Sequence, residues 1–264
     1  MELGLKGKIA LVTGASKGIG KGIARGLARE SAGVAICARG TADLEAAAAE
    51  IRRETGADVF ALPADCGKAD ELDRFLRRAV EHFGGVDILV NNAGTNSPHT
   101  IETGPDDAWH SIIELNLMAA VRCSRFVIPV MRARGGGRII NISSVSGKIP
   151  SPPIPLYTVT KAALIMFSRM LADEVAPANI LVSCVNPGPT LTPLWELYAD
   201  ARGKELGVPG RQIIEDYAKA NIPLQRFASV EEIADFVVFL ASERATFCTG
   251  SAYDIGGGIV RYIF

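Results

Sequence analysis

The sequence has no excess of charge and no long hydrophobic run. Its 264 residues carry 28 basic and 29 acidic side chains, which gives a formal net charge of −1. Proteins that bind nucleic acid or anionic membranes usually present clustered basic residues, so we expect neither partner. The apolar stretch near the N-terminus reaches a glycine turn within a few residues and is too short for a signal peptide or a membrane span. We therefore expect a soluble protein.

Cysteine and histidine are scarce and are not grouped. The five cysteines form no C-x-x-C pair, and their odd number argues against a disulfide framework. This pattern is typical of a protein in a reducing, cytoplasmic compartment. The three histidines lack the spacing of metal ligands, so we expect no metal site. These residues are Cys37, Cys66, Cys123, Cys184, Cys248, His82, His99 and His110.

Short β-branched segments alternate with helical patterns along the chain. Segments such as "KIALVT", "GVAICA" and "VDILVN" are almost continuously apolar, as in parallel strands that are buried on both faces. We expect one α/β domain over residues 1–264, with a doubly wound, mostly parallel sheet of about seven strands and helices on both faces. A β/α barrel is the alternative, but its phosphate site usually follows the late strands, whereas the glycine-rich turn here follows the first.

That turn is "TGASKGIG", residues 13–20, which joins the first predicted strand to a helix rich in small residues. Gly14, Gly18 and Gly20 would let the backbone approach a pyrophosphate, and the helix N-terminus would stabilise its charge. An ordinary tight turn is the alternative interpretation, because glycine turns after strands are common.

The end of the second predicted strand determines the expected cofactor. An acidic residue there would bind the ribose 2′-hydroxyl of NAD(H), but the sequence has Ala38 and Arg39. The guanidinium of Arg39 suits a 2′-phosphate, and Lys17 in the glycine turn would approach the same group. Arg39 as an ordinary solvated residue at the start of a loop is the alternative. We expect NADP(H) to be preferred over NAD(H).

Polar residues follow the fourth and fifth predicted strands. "NNAG" at 91–94 and "NISSVSG" at 141–147 place amides and hydroxyls at the edge of the sheet where ligands bind. "YTVTK" then opens a predicted helix behind Pro155, so that Tyr157 and Lys161 share one helix face. Each signal is weak alone, because Asn and Ser also populate turns and a Y-x-x-x-K pair occurs by chance.

In combination, these motifs closely resemble the short-chain dehydrogenase/reductase family in its compact single-domain form, similar to its 3-oxoacyl-carrier-protein reductases. The resemblance extends from "KIALVTGASKGIG" to "TGSAYDIGGG" and includes the segment "IIELNLMAAV". It implies a Rossmann-type fold and an enzyme that interconverts a ketone and a secondary alcohol. It also implies four catalytic residues, of which the serine is the one thirteen positions before the tyrosine. They are Asn116, Ser144, Tyr157 and Lys161.

Hydride transfer between a nicotinamide and a carbonyl carbon needs a proton at the oxygen, and the resemblance assigns that proton to Tyr157. Lys161 would stabilise the phenolate and contact the nicotinamide ribose, Ser144 would hold the substrate oxygen, and Asn116 would hold a water that relays protons. An amide that caps groups of its own helix is the alternative for Asn116. The resemblance places further residues against the cofactor, besides Tyr157 and Lys161: Ser16, Gly18, Ile19, Gly20, Asp65, Asn92, Gly94, Pro187, Gly188, Thr190 and Thr192.

Two segments are expected to set the substrate. The loop "GKIPSPPIPLY" has four prolines and should be stiff and extended. Residues 190–225 should form a lid over an apolar substrate, although packing in a core or a subunit interface is the alternative for its aromatic residues. The expected contacts are Ile149, Ile154 and Leu156 in the loop and Trp195, Leu197 and Tyr198 in the lid.

Several functional alternatives stay open at this stage. An apolar ketone or secondary alcohol is the expected substrate, and a 3-oxoacyl thioester is the competitor, although Ala178 stands where such reductases often carry a basic residue. An NAD-dependent alcohol dehydrogenase, a non-catalytic cofactor-binding protein and a redox-neutral isomerase or lyase are further alternatives. The apolar tail "GGGIVRYIF" and the faces of the fourth and fifth predicted helices favour a homotetramer or homodimer.

Overall fold

Seven parallel strands form one sheet in the order β3-β2-β1-β4-β5-β6-β7. The computed structural model describes residues 2–261, so the last three residues of the tail "GGGIVRYIF" lie outside the described part. The strands are β1 (Ile9–Thr13), β2 (Gly33–Ala38), β3 (Val59–Pro63), β4 (Ile88–Asn91), β5 (Gly137–Ile142), β6 (Ile180–Pro187) and β7 (Ala252–Ile255). The predicted doubly wound, Rossmann-type sheet is confirmed.

Helices cover both faces of the sheet. They are α1 (Gly18–Arg29), α2 (Thr41–Thr55), α3 (Ala69–Phe83), α4 (Asp106–Ile113), α5 (Ala119–Ala133), α6 (Pro155–Val175), α7 (Pro193–Leu206), α8 (Gly210–Asn221) and α9 (Val230–Ala241). A single π-helical turn, Glu114–Met118, connects α4 to α5. Within residues 2–261, none of the helices combines the length and the hydropathy that a bilayer crossing requires.

The core is divided into two layers by the sheet. On one side, Val12 of β1 packs in a buried cluster with Ile23 of α1 and Val237 of α9. On the other side, the adjacent Leu11 joins a cluster with Phe75 of α3. Successive side chains of a strand point to opposite faces, so an all-apolar strand is what burial on both faces requires.

Strand order reverses between β1 and β4, because β1 pairs with β2 on one side and with β4 on the other. The loops that leave these two strands diverge to opposite faces and open a crevice at the carboxyl edge of the sheet. The segments that follow β1, β4 and β5 are those with the glycine turn, "NNAG" and "NISSVSG". The fold therefore brings the sequence motifs to one edge.

Candidate active site

The turn between β1 and α1 exposes the N-terminus of α1. Gly14 and Gly18 have φ angles of 66° and 54°, a region where other residues are strained. A methyl group at Gly20 would collide with the side chain of Asn92 and with the carbonyl of Gly14. Lys17 is the N-cap residue of α1 and makes no side-chain cap. The backbone N–H groups at this helix end therefore fit an anion such as a dinucleotide pyrophosphate.

Asn92, which was expected against the cofactor, supports the glycine turn through hydrogen bonds. Its Nδ2 donates to the carbonyl oxygens of Thr13, at 2.9 Å, and Gly14, at 3.0 Å. In return, Oγ1 of Thr13 accepts hydrogen bonds from the backbone nitrogens of Asn92 and Ala93. The ends of β1 and β4 are thus locked together where the strand order reverses.

The two cations expected at the adenosine end of the site lie near the start of α2. Arg39 is exposed in the turn after β2. Nζ of Lys17 makes a salt bridge of 2.7 Å with Oδ2 of Asp43, a residue in the first turn of α2. Asp43 was not predicted as a site residue, because it stands five residues beyond the end of β2.

Asp65 lies in the segment between β3 and α3. Its Oδ1 accepts a hydrogen bond of 2.9 Å from the backbone nitrogen of Gly67. The N-cap of α3 is Lys68, so Asp65 does not cap this helix. The backbone nitrogen of Asp65 in turn donates to Glu71 at 2.8 Å, which fixes this loop to the first turn of α3.

The segment after β6 reaches the glycine turn. Cγ2 of Thr192 lies 3.3 Å from the position that a Cβ would take at Gly18. Thr190 is buried, and its Oγ1 donates to the carbonyl of Gly188 at 3.0 Å. Gly188 packs so closely on Gly256 that a Cβ would stand 2.7 Å from its Cα. These residues, which were expected against the cofactor, are therefore held beside the same crevice as the phosphate turn, together with buried Pro187.

Tyr157 and Lys161 occupy the first two turns of α6. The ammonium of Lys161 lies 5.5 Å from the centre of the Tyr157 ring and donates to the carbonyl of Ile142, 2.8 Å away at the end of β5. Burial lowers the pKa of Lys161 to about 8. Burial also raises the pKa of Tyr157, while its hydrogen bond with Ser144 acts in the opposite direction. Tyr157, Ser144 and Lys161 therefore form one contiguous group.

Ser143 and Ser144 have different partners, which separates their roles. Oγ of Ser143 is buried and donates to the backbone carbonyl of Lys161 at 2.8 Å. Oγ of Ser144 accepts from the backbone nitrogen of Ser146 at 3.1 Å and caps the short 3-10 turn Val145–Gly147. Ser143 thus links the end of β5 to the backbone of α6, and Ser144 is the serine that contacts Tyr157.

Asn116 lies at the centre of the π-helical turn and is 1% exposed. Its Nδ2 donates to the carbonyl of Thr95, at 2.8 Å, and to Oγ1 of Thr160, at 3.0 Å. Its Oδ1 accepts from the backbone nitrogen of Thr95 at 2.9 Å. The alternative in which this side chain caps its own helix is wrong, because its partners are in the loop after β4 and in α6.

Gly94 lies between the side chains of Asn116 and Lys161. A Cβ at this position would stand 3.3 Å from both Oδ1 of Asn116 and Nζ of Lys161. Contacts this short are tighter than ordinary van der Waals packing, so any side chain here would displace one of the two groups. The glycine of "NNAG" therefore leaves the space that the side chains of Asn116 and Lys161 occupy.

A buried polar network beneath the site was missed by the sequence analysis. Nδ2 of Asn91 donates to Oδ1 of Asn141, and Nδ2 of Asn141 donates to Oγ of Ser168, each at 2.8 Å. The network ties β4 and β5 to α6. Two asparagines at the same level of adjacent, otherwise apolar strands were the available signal, because buried amides need partners.

The proline-rich loop before α6 differs from the expectation. It forms successive turns, including a hydrogen bond from the nitrogen of Ile154 to the carbonyl of Ser151 at 3.0 Å, so the extended conformation was wrong. Leu156 is fully buried and is not available as part of a substrate wall. Pro155 opens α6 as predicted, and this start turns the chain inward at Leu156.

A cavity of about 320 Å³ lies between this loop and α8. It begins two residues beyond Ser144, at Ser146, and several of its lining side chains carry hydrogen-bonding groups. The lining residues are Ser146, Ile149, Pro150, Ser151, Tyr217, Ala220, Asn221, Ile259 and Arg261.

The predicted lid segment contains α7 and α8. Trp195 is half-buried and packs edge-on against Phe227, with ring centres 5.0 Å apart, and near Tyr217 of α8. Helices α7 and α8 thus share a small apolar cluster. Leu197 and Tyr198 are exposed on α7.

Comparison of the sequence with protein families gives a match to the family described as short chain dehydrogenase, over residues 8–202. The D-beta-hydroxybutyrate dehydrogenase of Cupriavidus necator is 37% identical over 97% of this chain and 99% of that protein. A 3-oxoacyl-[acyl-carrier-protein] reductase of Staphylococcus epidermidis is 34% identical over 96% of this chain and 98% of that protein.

A solved structure resembles this one over its full length. L-sorbose reductase from Gluconobacter frateurii, in complex with NADPH and L-sorbose, superposes with a TM-score of 0.98. The two sequences are 44% identical, and the match covers 100% of both chains. The glycine turn, the tyrosine–lysine helix and the lid helices all fall within the matched region.

Proposed function

Because this chain belongs to the short-chain dehydrogenase/reductase family of oxidoreductases, we propose that it interconverts a ketone and a secondary alcohol with NADP(H). One observation carries the proposal: Tyr157 is flanked by its hydrogen-bond partner Ser144 and by the buried ammonium of Lys161. The glycine turn, with its uncapped helix N-terminus, fits the pyrophosphate of the cofactor. When bound, the cofactor supplies or accepts the hydride at the substrate carbon.

Tyr157 acts as the general acid in reduction. Its raised pKa keeps the hydroxyl protonated at neutral pH, which is the form that donates a proton to the alkoxide. Lys161, with a pKa of about 8, remains mainly protonated at neutral pH and stabilises the phenolate that is left behind. Ser144 holds the substrate oxygen beside the tyrosine hydroxyl. These preorganised charges and donors lower the barrier without moving during the reaction.

Asn116 acts as a positioning residue in this proposal. Both hydrogens of its amide are used, one by Thr95 and one by Thr160, so its side chain holds α6 in place. The family resemblance also implies that Asn116 holds a water. Because both hydrogens on Nδ2 already have partners, another atom of the residue would have to bind that water.

The remaining expected cofactor contacts follow from where their segments lie. Ser16, Ile19 and Gly20 belong to the phosphate turn, Asp65 to the adenosine side, and Thr190 and Thr192 to the nicotinamide side, whereas Gly94 lies against Asn116 and Lys161. Arg39 and Lys17 would favour the 2′-phosphate of NADP(H) over a free ribose hydroxyl. The L-sorbose reductase, which is similar over the whole chain, was solved with NADPH.

We propose a hydroxylated ketone as the substrate. Ser146, Ser151 and Asn221 line the cavity between the proline-rich loop and α8, where their hydroxyl and amide groups would bind substrate hydroxyls. The neighbour that binds L-sorbose supports this class. An apolar ketone or a 3-oxoacyl thioester is the second candidate, because Leu194 and Leu197 are exposed on the lid and a relative acts on such a thioester.

The test is to monitor NADPH oxidation with a panel of ketoses, aliphatic ketones and a 3-oxoacyl thioester, using wild type and Tyr157→Phe. We expect the highest kcat/KM for a ketose, and a loss of turnover with retained NADPH binding in the variant. Binding of NADPH with no oxidation of any substrate by the wild type would favour the non-catalytic alternative. A preference for the thioester would replace the proposed substrate class.

We also propose a cytoplasmic homotetramer or homodimer. Val159, Met166 and Met170 are exposed along α6, the fifth predicted helix, and form an apolar stripe that a second copy would cover. All five cysteines are free thiols, including Cys37 and Cys66, whose Sγ atoms lie 3.7 Å apart, which is consistent with a reducing compartment. Light scattering of wild type and Met166→Lys tests the assembly; a monomeric wild type would refute it.

A further inference from the structure

The carboxylate of Asp43 lies beside Lys17, although the end of β2 carries no acidic residue. Oδ2 of Asp43 lies 2.7 Å from Nζ of Lys17. The same oxygen lies 3.7 Å from the position that a Cβ would take at Gly40, the residue that follows Arg39. The carboxylate therefore lies between the glycine turn and the turn after β2.

The position of Asp43 in α2 explains why its charge is stable there. Asp43 is in the first turn of the helix, whose free N–H groups and dipole favour a negative group. The N-cap residue, Gly40, has no side chain to satisfy those groups. A phosphate would be favoured at this place for the same reasons.

A 2′-phosphate carries a charge of about −1.5 to −2 at neutral pH. Lys17 can pair fully with that phosphate only if it gives up part of its contact with Asp43. A ribose 2′-hydroxyl requires no such exchange, because it is neutral and can donate a hydrogen bond to a carboxylate. The salt bridge between Lys17 and Asp43 thus weakens the binding of NADPH more than the binding of NADH.

We propose that Asp43 is a specificity-determining residue, which competes with the 2′-phosphate for Lys17 and so limits the preference for NADPH. The inference rests on the proposed binding of NADP(H). Arg39, which is exposed two residues before the start of α2, would supply the phosphate contact that does not depend on the exchange.

The experiment measures the Kd of NADPH and of NADH by fluorescence titration for wild type, Asp43→Asn and Asp43→Glu. Both side chains of the pair are more than half exposed, so the expected gain is modest. Asp43→Asn should bind NADPH about two- to fivefold more tightly, in line with the strength of exposed ion pairs. Its Kd for NADH should stay the same or rise. Asp43→Glu should restore the wild-type ratio of the two Kd values.

Two controls separate this role from general charge effects. Glu45→Gln removes one negative charge from the same helix, at an exposed residue, and should leave the ratio of the two Kd values unchanged. In a Lys17→Met background, the gain from Asp43→Asn should fall to nearly nothing, because the competition needs the lysine. Thermal unfolding without cofactor reports any purely structural effect on α2.

The possible results test the role of Asp43 and the proposed preference for NADP(H) separately. No gain for NADPH, an equal gain for NADH, or the same gain in the Lys17→Met background would overturn the role of Asp43. Equal Kd values of wild type for NADPH and NADH would instead refute the proposed cofactor preference. The ratio between Asp43→Asn and wild type for NADPH would still decide whether the carboxylate competes.

Discussion

The amide of Asn116 donates a hydrogen bond to the hydroxyl of Thr160 over 3.0 Å, and this contact joins the π-helical turn to the helix that carries the tyrosine and the lysine. Thr160 stands between Tyr157 and Lys161 in the sequence, and its hydroxyl donates to the carbonyl of Tyr157 at 2.8 Å. Thr160 is buried. The geometry of the acid group therefore depends on a residue that does not face the substrate.

Thr160→Val should impair both stability and catalysis. The variant keeps the shape of the side chain but leaves an amide hydrogen of Asn116 without a partner in a buried place. We expect a loss of about 1–3 kcal/mol in the free energy of unfolding. We also expect a lower kcat with little change in the Kd of NADPH. Thr160→Ser, which keeps the hydroxyl, should restore most of kcat; equal kcat values for Val and Ser variants would contradict this role.

Lys161→Met should abolish most activity and change the pH dependence of stability. The pKa of Lys161 is lowered to about 8 in the folded state, below the ordinary lysine value of 10.5. Between these pH values the unfolded chain binds more protons, so the unfolding free energy of wild type should rise with pH relative to the variant. Below about pH 8 the lysine is protonated in both states, and the difference should be flat. Denaturant unfolding of both proteins across this range tests the sign; a difference that falls with rising pH would exclude a depressed pKa.

Gly94→Ala should lower kcat without loss of the fold. The added methyl group would stand 3.3 Å from Oδ1 of Asn116 and from Nζ of Lys161, so one of them must move by a few tenths of an ångström. We expect a fall in kcat of roughly tenfold, since small misplacements of catalytic groups are costly. Gly56→Ala is the control for a glycine substitution elsewhere. Gly56 follows the end of α2, has a left-handed backbone conformation and has open space around it. If the two variants have equal kcat values, Gly94 is not needed as a spacer.

Asn221→Leu should weaken turnover of hydroxylated ketones specifically. Nδ2 of Asn221 donates to the carbonyl of Tyr217, which holds the side chain at the cavity. Loss of one hydrogen bond to a substrate hydroxyl should reduce kcat/KM about fivefold, with no comparable loss for an aliphatic ketone. Gln212→Leu makes the same type of change at an exposed residue of α8 that does not line the cavity. Equal losses for both ketone classes would argue against hydroxyl recognition at this residue.

The fold was predictable because its signals repeat along the chain. Almost continuous apolar strands such as "KIALVT" and alternating amphipathic helices indicate a sheet that is buried on both faces, and that sheet is observed. The helix that starts at Pro155 was predictable too, since proline suits a first turn. These signals are local in sequence, so they do not depend on tertiary contacts.

The contacts between segments could not be predicted in the same way. The pairing of Lys17 with Asp43 and of Asn116 with Thr160 joins residues from separate helices or loops, and nothing in their local sequence marks the partner. The burial of Leu156 was misjudged for the same reason: the proline-rich loop turns, and the helix start directs this side chain into the core. Tertiary packing, which local patterns do not encode, decided each case.

The π-helical turn at Glu114–Met118 has a consequence for chain length in this region. Because each such turn holds one more residue than an α-helical turn, deletion of a single residue here would let α4 and α5 merge into a regular helix. Because the wide turn takes up the additional residue locally, the later side chains of α5 would keep their positions on the helix. Val127 and Met131 would stay in the core, but Asn116, at the centre of the turn, would lose its alignment with Thr95. The additional residue of this turn therefore sets the position of Asn116 in the site and not the packing of α5 in the core.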